Sequence, residues 1–332
     1  MSSSLNLAVQ RERELQAKLR SCDLERWVAP LAEHTFKSVF VELSVADARE
    51  LIAEFKRRKT GLRSDMQALA SLHAQIETAI ASLGTAACFA KLSSRSPKDS
   101  TAAMDRALTL VQTRLTERRD AGLSVTANDV AAAIAAATTV SLKCSSAHDV
   151  IELMVTSERV CDDDLPLALE FAGNWSQHIV VREFNSFRVE QEFRAFVFGG
   201  RVTAVTQYFC GAFYPALVAQ RDAIGALVRE FFDNTVRART AEEQCDEFSL
   251  DLVVSVDAKA VTIVELNPFG ADGCGTGTAL FDWRNAHDTA VLLGVAPFEC
   301  RVVESAPYGS IAALKLRGPL SEWMARNAFV DD

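Results

Sequence analysis

The stretch FSLDLVVSVDAKAVTIVELNPFG, residues 248–270, constrains this chain more than any other. Two apolar runs rich in β-branched residues flank Asp257-Ala258-Lys259 and read as an antiparallel hairpin. A three-residue loop pairs Val256 with Ala260 and sets Asp251 directly opposite Glu265. Side chains alternate along a strand, so Asn267, two residues beyond Glu265, shares their face. Two carboxylates and an amide carbonyl then converge on one patch of an otherwise apolar sheet. Like charges opposed across a ladder at ~5 Å repel unless a cation lies between them. Oxygen donors suit Mg²⁺ or Mn²⁺ and not Zn²⁺. The plainer alternative is a pair of solvent-facing acids on an edge hairpin. Pro268 and Gly270 end the second strand abruptly, which favours a shaped site. A loop one residue longer or shorter puts Asp251 and Glu265 on opposite faces.

A second hairpin precedes it. Glu192–Phe198 and Arg201–Tyr208 flank Gly199-Gly200, a two-residue turn signal. Counting from that turn, Glu192 faces Gln207, and Arg194 lies beside them on the same side. Alone, these three make a solvated ladder that contributes little. Beside a metal, Arg194 becomes a phosphate clamp, because a guanidinium matches phosphate oxygens in a bidentate way. The glycine-rich GADGCGTG, residues 270–277, is neither a Walker loop nor a G-x-G-x-x-G and reads as a loop after the metal strand. Lys91 and Lys143 each fall in a short run of apolar and small residues that reads as a strand. A lysine there meets an anion, or snorkels from an edge strand.

The remaining pattern is mixed. Thr35–Leu43 reads as a strand, and Ser44 with Asp47 as a capping box before a helix bearing Ala48, Leu51, Ile52 and Phe55. That helix ends in Lys56-Arg57-Arg58-Lys59, which suits its dipole. Met66–Leu83 is a second helix, stopped by Gly84, and Cys88–Leu92 a strand. Two helices follow, one through Met104, Leu108, Val111 and Leu115, the other alanine-rich and capped at Asn128; together they look like an insertion at about 100–138. Strands are expected at Val140–Lys143, Leu167–Phe171 and Ile179–Phe184, with a helix from His148 to Ser157 and a long one around Ile224–Thr235. Antiparallel strands with helices between them argue for α+β and not a doubly wound parallel sheet. The expected regions are 1–83, 84–184 and 185–332.

Charge and apolar content narrow the function. The chain has 35 basic against 44 acidic residues, a net charge of −9, so a broad nucleic-acid face is disfavoured and no direct DNA binding is expected. No apolar run approaches the ~18 residues of a membrane span, and no secretory pattern is seen, so the expected place is the cytoplasm. The 8 cysteines include no C-x-x-C, which disfavours a zinc ribbon and suits small buried hydrophobes.

A strand lysine, a second strand lysine, a hinge strand, an E-F-R strand and then Asp…Glu-x-Asn-Pro is an order that resembles the ATP-grasp nucleotide-binding fold. More closely, the chain resembles the cell division cycle protein 123 family, the assembly factor of eukaryotic translation initiation factor 2. The similar stretches are WVAPLAEHTFKSVFVEL, FAKLSSRSPKDS, SLKCSSAHDVIELMVTSERV, IVVREF, EFRAFVFGGRVTAVTQY, the 248–270 hairpin and a later LFDW. The resemblance implies two lobes of mainly antiparallel sheet plus helices with an ATP–Mg²⁺ site between them. It implies Lys91 and Lys143 at the phosphates and Ile179–Glu183 as the hinge, with Val181, Arg182 and Glu183 near adenine. Glu192, Arg194 and Gln207 would line the phosphate end, and Asp251, Glu265 and Asn267 would hold the metal. The implied partner is a protein client, the gamma subunit of that factor being the candidate. The chain departs from the family in Glu265, where an aspartate is usual, in Ser94, near a usual tryptophan, and in Tyr208-Phe209, where Arg-Asp often follows the glutamine. The alternatives are an ATP-grasp enzyme, ligase or phosphoryl or nucleotidyl transferase, and a scaffold that binds no nucleotide.

Overall fold

The computed structural model describes residues 17–18, 20–170, 175–241, 246–269, 277–306 and 318–326. Residues 1–16 and the glycine-rich stretch 270–276 lie outside the described residues. The strands are β1 (Ser38–Glu42), β2 (Cys88–Leu92), β3 (His178–Glu183), β4 (Glu192–Phe198), β5 (Arg201–Gln207), β6 (Phe248–Ser255), β7 (Ala260–Pro268) and β8 (Glu299–Arg301). The main helices are α1 (Val45–Lys59), α2 (Ala70–Leu83), α3 (Thr101–Asp120), α4 (Ala127–Val140), α5 (Ala147–Met154), α6 (Leu165–Glu170), α7 (Pro215–Phe231), α8 (Ala286–Leu292) and α9 (Gly318–Arg326). This is the mixed α+β architecture that the strand and helix patterns predict. No described helix is long and apolar enough to cross a membrane. Two compact units are present, one of residues 1–36 with 187–306, the other of 37–186 with 307–332.

In the 37–186 unit, an antiparallel sheet runs β1-β3-β2. One face carries Val41, Cys88, Ala90, Leu92, Ile179 and Val181. Helices bury their apolar stripes with that face in one core, α1 through Ala48, Leu51, Ile52 and Phe55, α2 through Leu72, Ile76, Ala79 and Leu83. The expected capping box is present at α1: the Ser44 side chain accepts from Asp47 N–H and Asp47 accepts from Ser44 N–H. Gly84 ends α2 at φ 69°, a left-handed turn where glycine avoids a Cβ clash. A second apolar cluster joins α3, α4 and α9 through Val111, Leu115, Val130, Ile134 and Leu320, with Trp323 and Met324 against it.

Three local expectations are corrected here. The alanine-rich helix is capped by Thr126, whose side chain accepts from Asp129 N–H while Asp129 returns to Thr126 N–H; Asn128 lies in the first turn. Val140–Lys143 is no strand. The alanine run carries α4 through Val140, and Thr138 and Ser141 hydroxyls return to helix carbonyls. Only Cys144 joins the sheet there, exchanging hydrogen bonds of 2.9 and 2.7 Å with Cys88. The strand expected at Leu167–Phe171 is instead helical as far as it is described, Leu165–Glu170 being α6 and Phe171 lying outside the described residues, because leucine, alanine and glutamate are strong helix formers and Pro166 is tolerated in a first turn.

In the unit of 1–36 and 187–306, the sheet runs β7-β6-β4-β5-β8, with only β5 and β8 parallel. Along one face lie Phe193, Ala195, Val197, Phe248, Leu250 and Leu252, all buried. Phe248 meets Phe232, just past α7, at a ring separation of 6.4 Å. The other face is covered at one end by a cluster of Phe196, Ala204, Phe269, Phe281, Val291 and Leu292. The Arg194 end of that face carries charge instead.

Glu54 of α1 is fully buried yet charged. It accepts from Arg57 Nε (2.9 Å), Arg58 Nε (2.8 Å), Asp65 N–H (3.0 Å) and the Ser64 hydroxyl. Burial pushes its carboxyl up, but Arg58, Ser64, Asp65 and Arg57 outweigh it and hold the pKa at about 2, against an ordinary 4.5. A carboxyl depressed in the folded state stabilises above its unfolded pKa, and that stability is lost as pH falls from 4.5 towards about 2. Glu54→Gln is therefore expected to lose on the order of 2–3 kcal/mol near neutrality, measured by urea unfolding, and the difference from wild type should shrink at about pH 3.

Candidate functional site

The β6–β7 hairpin reaches its expected pairing by an unexpected route. From the turn outwards, Ser255 pairs with Ala260 and Leu252 with Ile263. The loop is thus Val256–Lys259, one residue longer than predicted, with Lys259 left-handed at φ 47°. Continued unchanged, that register sets Asp251 opposite Val264 and turns Glu265 to the far face. A bulge at Val264 inserts one residue and restores the count. Asp251 then stands opposite Glu265, and Ser249 opposite Asn267. Thr35 bridges Ile263 from the outer edge and donates its hydroxyl to the Ile263 carbonyl at 2.7 Å, beside the bulge.

The β4–β5 hairpin does the reverse. Gly199 and Gly200 form the expected two-residue turn, both at positive φ (57° and 66°), and Phe198 pairs with Arg201. A bulge at Thr203 then shifts everything beyond it, so that Phe193, not Glu192, faces Gln207. This overturns the placement of Gln207 beside Arg194: it lies on the opposite face of the sheet. Its Nε2 donates to Phe209 O (2.8 Å) and Ala212 O (2.7 Å), and its Oε1 accepts from Val303 N–H at 3.1 Å. Gln207 ties down the chain around β5 and β8.

What replaces it comes from β4 lying next to β6, where Arg194 is the direct cross-strand neighbour of Asp251. Arg194 grips both carboxylate oxygens, Nε to Oδ1 at 2.7 Å and Nη2 to Oδ2 at 2.8 Å. Its Nη1 donates to Gly277 O at 2.7 Å, and its guanidinium lies 5.0 Å from the Tyr208 ring centroid. Asn267 Nδ2 donates to Asp251 Oδ2 at 3.2 Å. Asp251 is 0% exposed, Arg194 7%, Glu265 8% and Glu192 5%, so this is a buried polar patch and not a solvated ladder. Burial pulls the Arg194 pKa down, but Asp251, Tyr208 and Glu265 outweigh it and leave it above the ordinary arginine value. Nothing local in the sequence announces the Arg194–Asp251 pair, since the two residues are 57 apart. Thr206 stands directly opposite Arg194 on β5, a neighbour that the turn count without the bulge does not predict.

The donor set fits a hard divalent cation: carboxylates of Asp251 and Glu265 with the amide oxygen of Asn267. Among the described residues no group of three or more His, Cys, Asp or Glu side chains is placed to hold a metal, so the amide is needed as the third donor.

The other predicted residues belong to the 37–186 unit. Lys91 lies in β2 as expected, opposite Val180 and 1% exposed. Arg182 in β3 is 0% exposed, donates from Nε to Ser38 Oγ at 3.0 Å and stacks 5.4 Å from the Phe89 centroid. The two share the sheet face turned away from the helices. Val181 points into the apolar core, and Glu183 alternates to the same side. β3 is the central strand, paired on both edges, and the ladder continues through Glu183 N–H to Lys37 O and Phe184 N–H to Ala87 O. The backbone groups that the resemblance assigns to adenine at 179–183 are thus engaged within the sheet. Lys143 sits in the turn after α4, exposed, with its ammonium 5.7 Å from the Phe184 ring centroid.

Comparison with known proteins decides the family. A model of the D123 family matches residues 127–315, more than half of the 332 residues. The chain belongs to the D123 family. The resemblance to cell division cycle protein 123 is thereby borne out. The fold agrees: a structure of Cdc123 from Schizosaccharomyces pombe superposes with a TM-score of 0.59 at 20% identity, covering 87% of this chain and 98% of that one. A C-terminally truncated Cdc123 from the same organism gives 0.58 at 20% identity, with the same coverage. No curated protein sequence matches the chain.

The buried pair makes a stability prediction. Asp251→Ala leaves a buried guanidinium without its partner and is expected to cost ~3–5 kcal/mol in urea unfolding. Adding Arg194→Met should recover most of that loss, since the uncompensated charge is then gone. Gln207→Ala, which takes one hydrogen bond each from the Phe209 and Ala212 carbonyls and from Val303 N–H, is expected to cost ~1–3 kcal/mol in the same assay.

Proposed function

We propose that this D123-family chain binds ATP together with Mg²⁺ and serves as an assembly factor for a protein client in the cytoplasm. The observation that carries this reading is the meeting of Arg194, Asp251, Glu265 and Asn267 on one buried sheet face. A guanidinium beside two carboxylates and an amide is the donor and acceptor set that a metal–triphosphate needs. The cation, when bound, neutralises phosphate charge. Asp251 and Glu265 supply its charge-bearing ligands and Asn267 a neutral oxygen. Arg194 is the cation of this face suited to phosphate oxygens. Glu265 replaces the family's usual aspartate, and its extra methylene still reaches a cation shared with Asp251. Gln207 has no part in this reading.

The client in this proposal is a translation initiation factor 2 type complex, through its gamma subunit, as the family resemblance suggests. Calorimetry on the full chain tests the nucleotide half. ATP with Mg²⁺ is expected to bind. Glu265→Gln and Asn267→Ala should each weaken that binding by about tenfold or more. Unchanged affinity in both variants would remove the site from consideration. Adding purified gamma subunit tests the other half. Complex formation that depends on ATP supports assembly, whereas steady release of ADP or AMP marks a ligase or transferase of the same fold.

A further inference from the structure

The Arg194–Asp251 contact bears on how such a site loads, an inference that rests on the nucleotide reading above. Asp251 is held on both oxygens: Arg194 Nε and Nη2 take one each, and Asn267 Nδ2 adds a third hydrogen bond. A carboxylate gripped in this way offers a bare divalent cation little. The cation would approach a group already neutralised by a guanidinium, with like charges only a few ångströms apart. It would also have to drive Arg194 off Asp251 into surroundings that are almost fully buried, where an unpaired guanidinium is strongly disfavoured.

A metal–triphosphate complex changes both conditions at once. It carries its own phosphate oxygens, which accept the Arg194 fork in the bidentate manner that Asp251 does. The carboxylate is released to the cation in the same event, and no charge is left unpaired. Glu265, directly opposite Asp251 on the neighbouring strand, adds a second carboxylate to the same exchange.

We infer that Arg194 is a resident counter-ion that closes the Asp251–Glu265–Asn267 set to free divalent cations and opens it only to a cation that arrives on a polyphosphate. The exchange explains why a buried arginine stands directly across from a candidate metal ligand. Arg194 thereby has two partners in turn, first Asp251 and then phosphate.

Free Mn²⁺ followed by electron paramagnetic resonance, with no nucleotide present, reads this directly on the full chain. Wild type should show no tight site at millimolar Mn²⁺. Arg194→Met should bind Mn²⁺ at least about tenfold more tightly, and adding Asp251→Asn to it should abolish the gain. Arg194→Lys keeps the charge and fold but cannot hold both oxygens, so it should give a smaller increase in the same direction. Should wild type bind bare Mn²⁺ as tightly as both arginine variants, the inference is overturned. Calorimetry of wild type with ATP and Mg²⁺ separates the two readings. Binding of the complex together with equal Mn²⁺ affinities would sink the counter-ion alone. A gain of Mn²⁺ affinity without any nucleotide binding would leave the counter-ion standing and sink the nucleotide reading.

Discussion

A β-strand has two faces, and a slip of one residue exchanges them. The charged patch of this chain depends on that constraint at two places. In β7 the extra residue at Val264 keeps Glu265 and Asn267 on the side of Asp251. In β5 the extra residue at Thr203 moves Gln207 to the other side. Both bulges are held by side-chain hydroxyls, Thr35 on Ile263 O beside the first and Thr203 on Leu292 O at the second. The sheet is not a regular ladder with functional residues hung on it. Its irregularities select which polar groups meet.

Polar groups buried at this density hold together because their charges and hydrogen bonds answer one another. Two solutions to the same problem occur in the two units. Around Glu54, two arginines, a hydroxyl and a backbone N–H serve one carboxylate, and the arrangement closes a helix end onto the loop after it. Around Asp251, one arginine and one amide serve the carboxylate, and a second buried acid, Glu265, stands opposite. In the first cluster both oxygens of the carboxylate are engaged by donors of its own helix and the loop after it. The second sets a further buried carboxylate, Glu265, across from the Arg194–Asp251 pair.

Much of this was legible in the sequence, for identifiable reasons. The Ser44–Asp47 cap, the Gly84 stop, the Cys88–Leu92 strand and the Gly199-Gly200 turn are local signals, and each took the form its residues dictate. Asp251 pairs with Glu265 as the sequence predicts although the loop is one residue longer than a three-residue turn, because the bulge at Val264 offsets the added loop residue. The same kind of bulge, uncancelled, defeated the placement of Gln207. Val140–Lys143 misled because β-branched and apolar residues at the end of an alanine-rich helix mimic the start of a strand. The Arg194–Asp251 contact was beyond reach, since strand order β6-β4-β5 is a tertiary fact that no spacing encodes.

One packing arrangement reaches past the stretch that the family model matches. The seam lined by Val111, Leu115, Val130 and Ile134 is closed by Leu320, Trp323 and Met324 of α9. Two of its three helices, α3 at Thr101–Asp120 and α9 at Gly318–Arg326, fall outside the 127–315 match. A chain cut short before Gly318 would therefore wet an oily groove some two hundred residues upstream in sequence. Solubility of any trimmed form hangs on that far-off patch, and changes to the last helix must be weighed against the helical pair that receives it.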